Sequence, residues 1–98
     1  MTLSAESLFG TRKQTLFLFI LFLLEESYPE ELARLIGTGR YNVVRMIDAL
    51  EEPGILVSRT VGRQRMVSFN RRYGAAKELR ALLGKLALAD TEARSAAA

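Results

Sequence analysis

Residues 28–54, YPEELARLIGTGRYNVVRMIDALEEPG, decide the fold, because they contain two short helical patterns joined by a tight turn. Pro29 fits the first position of a helix, where the N–H that proline lacks has no partner anyway. Gly37 and Gly39 bracket Thr38, so we expect the chain to turn there without a Cβ penalty. The first pattern carries an apolar face made of Leu32, Ala33, Leu35 and Ile36.

The second helical pattern has a face suited to burial and a face suited to contact. The predicted core side chains, which recur at helical spacing, are Val43, Met46, Ile47 and Leu50. The remaining face carries Arg40, Tyr41, Asn42, Val44, Arg45 and Asp48. Arginine and asparagine side chains form paired hydrogen bonds with base edges, so this helix is predicted to enter a DNA major groove.

An unbroken apolar run, LFLFILFLL at residues 16–24, dominates a helix predicted over 11–27. The run is much shorter than the roughly 20 apolar residues of a spanning helix, so no membrane partner is predicted. A helix that is apolar all round needs cover on every side, and we expect a chain of 98 residues to leave part of it open. We therefore predict a homodimer whose interface side chains are Phe17, Phe19, Leu21, Phe22, Leu79, Leu82, Leu83 and Leu86.

The second half of the chain predicts a hairpin and a final helix. Alternating apolar residues indicate strands over 55–60 and 65–69, with a turn at 61–64 and a basic tip of Arg59, Arg63 and Arg65. A short strand is predicted at residues 27–28 and a helix over 75–89. A lead segment, 1–10, is predicted to hold a brief helix, and the tail, 90–98, is predicted to fray. One domain over 1–98 is the simplest organisation.

Charge is concentrated in the middle of the chain. The formal net charge is +3, but residues 40–72 hold seven arginines and three acids, a net charge of +4. All seven basic residues there are arginines, whose planar fork matches phosphate and guanine better than a lysine does. Asp48 is an exception on the outer face of the second helix, and it disfavours phosphate unless a nearby cation screens it.

The composition excludes several function classes. The chain has no cysteine and no histidine, so it has no disulfide and no thiolate or imidazole metal site. Cys–His and Ser–His–Asp nucleophiles are excluded for the same reason, and no phosphate-binding glycine loop is present. The acids at 25, 26, 30 and 31 are predicted to be solvated at a helix junction rather than to bind a metal. We predict no enzyme activity, no cofactor and no metal, and a cytoplasmic location.

The order helix, helix–turn–helix, basic hairpin, helix resembles a winged helix-turn-helix domain. ELARLIG followed by RYNVVRMIDALEEPGILVSR is similar to the helix pair of bacterial winged-helix repressors of the ArsR and MarR kinds, and VGRQRMVSFN resembles their wing. Residues 8–12 and NRRY…KELRALL resemble a subgroup of small bacterial and archaeal regulators that sometimes stand beside, or fused to, nucleotidyltransferase domains. The resemblance implies an α+β, mostly α fold, with a three-helix core, a two- to three-stranded β-wing and an extra C-terminal helix.

The resemblance also implies a function and a site. It implies sequence-specific binding of double-stranded DNA by a transcriptional regulator, with the helix over 39–52 as the recognition helix. The implied DNA-binding residues are Thr38, Arg40, Tyr41, Asn42, Val44, Arg45, Arg59, Arg63, Gln64 and Arg65. Gly39 departs from the pattern, because such regulators usually carry a serine or asparagine cap there. Metal sensing of the ArsR type is not implied, since its ligands are absent, and no effector ligand is indicated.

Each implied contact has a structural alternative that the sequence leaves open. Arg40 and Arg45 are also compatible with solvated helix charges paired to nearby acids. Tyr41 would either contact DNA or pack on Leu35, and Asn42 would bind either a base or a phosphate. The hairpin arginines would touch phosphate or the minor groove, or only keep an edge strand soluble. The alternative for the whole chain is a winged-helix protein-interaction module that serves as an accessory subunit of a larger complex.

Overall fold

The computed structural model of the chain describes residues 8–98, which form five helices and one three-stranded antiparallel sheet. The elements are α1 (Arg12–Leu24), β1 (Glu26–Ser27), α2 (Pro29–Ile36), α3 (Arg40–Glu51), β2 (Leu56–Val61), β3 (Gln64–Phe69), α4 (Ala76–Ala89) and α5 (Thr91–Ala97). The predicted α+β, mostly helical class is confirmed, and the element order is compatible with a winged-helix layout. The brief helix predicted in the lead segment falls largely outside the described residues.

Helix α1 is the centre of the core. Its residues from Thr15 to Leu21 are all buried, and it packs against α2, α4 and α5. Phe9 reaches the same core from the preceding segment, with its ring edge-on to Phe19 at a centroid separation of 6.4 Å. α1 ends earlier than predicted, because Glu26 and Ser27 leave the helix to pair with β3. Among residues 8–98, no helix is both long enough and apolar enough to cross a bilayer.

The structure contradicts the reason given for a dimer. Five of the predicted interface side chains are buried inside a single chain, namely Phe17, Phe19, Leu21, Leu83 and Leu86. Phe22 and Leu79 are half-buried, and Leu82 is 43% exposed. The expectation that one side of α1 stays open is wrong, because α4 and α5 together cover it within one chain. Gly84 helps α4 approach closely, since a Cβ there would lie 3.3 Å from the Phe22 ring.

The turn between α2 and α3 uses its two glycines differently. Gly37 ends α2 in the left-handed region, with φ 79°, and donates its N–H to the Ala33 carbonyl at 2.9 Å. That conformation is the one that favours glycine at the end of a helix. Gly39 has φ −78° and begins α3 in an extended conformation that any residue adopts, without a side-chain cap. α3 therefore begins without the serine or asparagine cap that the resemblance would supply.

The sheet has the order β1-β3-β2, and β2 and β3 form a hairpin. Leu56 pairs with Phe69 at its base and Val61 with Gln64 at its end, so the loop has two residues rather than the four predicted. Gly62, the first loop residue, has φ 62°, which suits a tight hairpin turn. The base of the hairpin is buried in the core, whereas the outer part extends into solvent.

The predicted fraying of the tail is wrong. Thr91–Ala97 forms α5, because the Asp90 side chain accepts a hydrogen bond from the Ala93 N–H at 2.9 Å and so caps the helix. Ala93 itself is fully buried. Arg12, at the start of α1, holds Asp90 through two hydrogen bonds of 3.0 Å and Glu92 through one of 2.9 Å. The alanine-rich tail is therefore tied to the first helix of the domain.

Candidate nucleic-acid interface

Helix α3 turns one face to the core and the other to solvent, because its apolar residues recur at helical spacing. Val43 and Ile47 are fully buried, while the half-buried Met46 and Leu50 pack against the same core. The outer residues that sequence predicted for contact are exposed, with the exception of Val44, which is half-buried. The exposed ones on this helix are Arg40, Tyr41, Asn42, Arg45 and Asp48.

Tyr41 and Arg45 form the outermost part of α3. The Tyr41 side chain is 72% exposed, so its ring extends into solvent instead of packing beneath the turn on Leu35. The Arg45 guanidinium lies 5.8 Å from the centre of that ring, one helical turn away. A cation over an aromatic face is attracted by the ring quadrupole. The pair presents one guanidinium and one aromatic ring from the same ridge.

Thr38 and Asn42 are joined at the start of α3. The Asn42 Nδ2 group donates to the Thr38 hydroxyl at 3.0 Å. Asn42 and Arg45 also line a groove of about 400 Å³ that separates α3 from the start of α1. Because the contact orients its amide, Asn42 is held at the solvent-facing rim of this groove.

Arg40 pairs with an acid that the sequence did not connect to it. Its Nε atom donates to Glu30 at 2.7 Å, across the turn from the first turn of α2. Both side chains remain more than half exposed. The hydrogen bond from Arg40 holds the pKa of the Glu30 carboxyl below its ordinary value. The alternative of pairing to nearby acids considered only neighbours on the same helix, whereas Glu30 lies ten positions away on α2.

The hairpin arginines have three different environments. Arg59 pairs with Glu26 of β1 at 2.9 Å and is 62% exposed. Arg63 lies in the exposed two-residue loop, beside the exposed Gln64, and has no ion pair within the part of the chain that the structure describes. Arg65 turns inward to α3. The basic tip predicted from the sequence therefore consists of Arg63 with its neighbour Gln64.

Arg65 links the hairpin to α3. It donates to Asp48 at 2.9 Å, to Ser58 at 3.1 Å and to Glu51, and its side chain is only 30% exposed. Burial by itself lowers the pKa of Arg65, but the hydrogen bonds to the two acids outweigh it and the pKa is raised. The assignment of Arg65 to an exposed DNA-contacting tip is corrected, since its donors are directed at α3.

A cleft of about 310 Å³ lies where the hairpin meets the starts of α2 and α3. It is lined by Tyr28, Pro29, Glu30, Arg40, Arg63, Gln64 and Arg65. We call this the hairpin cleft. The fold thus brings one arginine of α3 and two hairpin arginines around one opening, although the donors of Arg65 are directed at α3.

The same geometry reduces the local positive charge. Glu26 and Glu30 lie outside residues 40–72, yet each pairs with an arginine inside that segment. A charge count along the sequence misses this compensation, because the partners are brought together only by the sheet and the turn. Among residues 8–98, no three histidine, cysteine or acidic side chains form a group that could hold a metal ion.

Comparison with known proteins identifies no relative of the chain. No protein-family model, no curated protein and no solved structure matches it. The function is therefore inferred from the side chains and geometry described above.

Proposed function

We propose that the protein binds double-stranded DNA as a winged-helix transcriptional regulator. In this proposal α3 is the recognition helix in the major groove, and the β2–β3 hairpin is the wing on the backbone or minor groove. The observation that carries the proposal is that Arg40 of α3 and Arg63 of the hairpin open onto one cleft, while Arg45 and Tyr41 project from the outer face of α3.

The exposed side chains have separate roles in this proposal. Arg45 and Asn42 have the chemistry to read base edges in the major groove, and the half-buried Val44 offers an apolar contact to a thymine methyl group. Tyr41 packs against sugar or base. Arg63 and Gln64 contact phosphate or the minor groove, which positions the protein without reading sequence. The remaining proposed contacts to the backbone come from Thr38, Arg40 and Arg59.

Asp48 is the residue that argues most directly against DNA on this face. It is exposed on α3, and a bare carboxylate there would repel a phosphate. Its ion pair with Arg65, at 2.9 Å, supplies the screening cation that the proposal needs. In the proposal Arg65 reduces the negative charge on this face instead of touching DNA, and because one guanidinium pairs with both Asp48 and Glu51, a net charge of −1 remains there.

A salt titration tests the proposal directly. Binding of the protein to a mixed-sequence duplex about two helical turns long is measured by fluorescence anisotropy over a range of salt concentrations. Each phosphate neutralised contributes about −0.9 to the slope of log affinity against log salt, so we expect a steep fall. Arg45→Gln should weaken binding, whereas Lys77→Gln, an exposed change on α4, should not. A flat salt response would contradict the proposal.

Sequence preference needs a second measurement, because phosphate contacts alone do not discriminate between sequences. Capture of genomic fragments followed by sequencing should enrich a pseudo-palindromic motif if two copies bind together. In such a homodimer the two α3 helices would enter successive major grooves about 34 Å apart. Of the predicted interface side chains, Phe22, Leu79 and Leu82 remain at least partly accessible for this contact.

A protein-interaction module is the second candidate function. The observation that favours it is the pairing of Arg40 and Arg59 with acids, which leaves the α3 and hairpin surface with mixed charge. Mixed charge suits another protein surface better than a uniformly anionic duplex. This alternative predicts no affinity for any duplex in the salt titration, and so the same experiment separates the two functions.

A further inference from the structure

The Arg40–Glu30 pair lies at the wall of the hairpin cleft. Both side chains line that cleft, and they meet through a single hydrogen bond of 2.7 Å. Arg63 and Gln64 line the same opening with further donors. The cleft, about 310 Å³, has room for a tetrahedral oxyanion beside these groups.

We propose that Glu30 occupies the position on Arg40 that a phosphate of the DNA backbone takes, so that the chain carries its own competitor for its ligand. The inference rests on the proposed function, since it concerns the same surface. A carboxylate and a phosphate are both oxyanions that accept from a guanidinium. Binding of DNA then exchanges one partner of Arg40 for another.

The exchange is feasible because neither side chain is committed to the pair. The Arg40 side chain is 60% exposed and that of Glu30 is 57% exposed, so both are solvated when they separate. Ion pairs between such exposed groups contribute little to stability. Glu30 also lies in the first turn of α2, where the helix N-terminus favours a carboxylate without help from Arg40.

Other ion pairs of this surface are less suited to exchange. Arg65 donates to Ser58 and two acids at once and is 30% exposed, so a phosphate would have to replace several bonds. Arg59 is exposed and singly paired to Glu26, but neither of them lines the hairpin cleft. Of these three arginines, only Arg40 both has a single, exposed ion-pair partner and lines the hairpin cleft together with Arg63.

The test compares Glu30→Gln with a matched control, Glu78→Gln. Glu78 is also an exposed acid in the first turn of a helix, α4, and it has no ion pair among the described residues. Both variants raise the net charge by the same amount. With the mixed-sequence duplex used above, we expect Glu30→Gln to bind about two- to fivefold tighter than wild type, and Glu78→Gln to bind within about 1.5-fold of it.

A spectroscopic readout separates exchange from general repulsion. The Nε–Hε NMR signal of Arg40, assigned by its loss in Arg40→Lys, should differ between free wild type and free Glu30→Gln. It should converge to one position when both proteins are saturated with the duplex, because Arg40 then has the same phosphate partner. If the wild-type signal stays at its free position, or if the two Glu→Gln variants bind equally, the inference is overturned.

Failure of the inference differs from failure of the function. In one outcome the wild type binds the duplex with a steep salt dependence while the two variants have equal affinities. That result would support the proposed function and overturn the role of Glu30 as a competitor. Absence of duplex binding by all three proteins would overturn both. Tighter binding by Glu30→Gln alone, with convergence of the Arg40 signals, supports both.

Discussion

At the residue scale, arginines that a count of basic residues does not distinguish have different structural roles. Arg63 and Arg65 stand two positions apart, yet the first lies in the hairpin loop and the second faces α3 from β3. Strand geometry causes the difference. Arg65 lies within the paired ladder, so its side chain points to a fixed face of the sheet, while Arg63 lies beyond the last residue pair of the hairpin. A count of basic residues treats both as DNA contacts, whereas the strand pairing and the partner acids on α3 distinguish them.

Substitution of each of the two arginines should separate their roles. Arg65→Gln removes its bonds to Asp48 and Glu51, so we expect a loss of about 1 kcal/mol in unfolding free energy. For a domain of this size that loss lowers the Tm by about 4–8 °C. Arg63→Gln should leave the Tm unchanged and reduce the salt slope of duplex binding by about 0.9. Thermal unfolding and anisotropy of both variants are the measurements.

Reversal of that pattern would contradict the assignment. If Arg63→Gln lowered the Tm while Arg65→Gln changed only the salt slope, then the loop arginine would be the structural one. Arg65→Lys provides an additional control, because a lysine ammonium cannot reproduce the forked contacts to two acids and a hydroxyl. We expect it to be destabilised in the same direction as Arg65→Gln.

At the element scale, α5 shows how one polar residue adds a helix to the fold. Asp90 caps α5 through the Ala93 N–H and receives two hydrogen bonds from Arg12. Its side chain is only 13% exposed, less than that of any other acid in the ion pairs among residues 8–98, so this carboxylate is the best shielded of them. The hydrogen bond from Arg12 is the main cause of a lowered pKa for the Asp90 carboxyl.

Two substitutions at Asp90 should distinguish the stability that the helix cap contributes from the stability that the ion pair contributes. Asp90→Asn keeps a capping oxygen and loses the charge, for an expected cost of about 1 kcal/mol. Asp90→Ala loses both functions, for an expected cost of about 2 kcal/mol. Denaturant unfolding at neutral pH measures both values. Equal stability of the two variants would show that the cap contributes nothing.

The pH dependence of the same variants checks the sign of the pKa shift. Because the folded-state pKa of Asp90 is lower than the ordinary 3.8, the ion pair stabilises the fold fully above that value. Its contribution is lost as the pH falls through the folded-state pKa. The stability difference between wild type and Asp90→Asn should therefore shrink in acid below about pH 4. A difference that grew in acid would contradict the assignment.

At the scale of the whole molecule, the fold buries a helix that is apolar on all sides within a single chain. α1 is surrounded by α2, α4 and α5, and its central phenylalanines, Phe17 and Phe19, are fully buried. A helix covered by a partner would unfold when the partner leaves, so its stability would depend on protein concentration. A helix covered by its own chain has no such dependence.

The thermal midpoint of Leu82→Lys, in which the proposed dimer contact is removed, should therefore stay constant when the protein concentration changes about a hundredfold, whereas a native dimer of the wild type would make its midpoint rise. A rising midpoint in Leu82→Lys would indicate that a second copy covers the core after all. Sedimentation tests the homodimer separately, because a dimer through Leu82 would have twice the 11.0 kDa mass of the chain and would dissociate without unfolding. Leu82→Lys should sediment as a monomer, and a monomeric wild type at micromolar concentration would contradict the dimer.

The amino-acid sequence by itself determined the local elements of this protein. Helical spacing of apolar residues located α2, α3 and α4, and Pro29, Gly37 and Gly62 marked where elements begin or turn. These features depend on neighbours a few residues apart, so they are readable along the chain. The exposed face of α3 and the hairpin loop were predictable for the same reason.

The tertiary structure alone decided what those elements touch. The Arg12–Asp90, Arg40–Glu30 and Arg59–Glu26 pairs join residues 10 to 78 positions apart. No periodic pattern encodes such pairs, because each depends on how packed helices and strands bring distant side chains together. The same is true of the cover over α1, which depends on α4 and α5 folding back across it. Local preference sets the secondary structure here, and long-range packing sets the charge and accessibility of its surface.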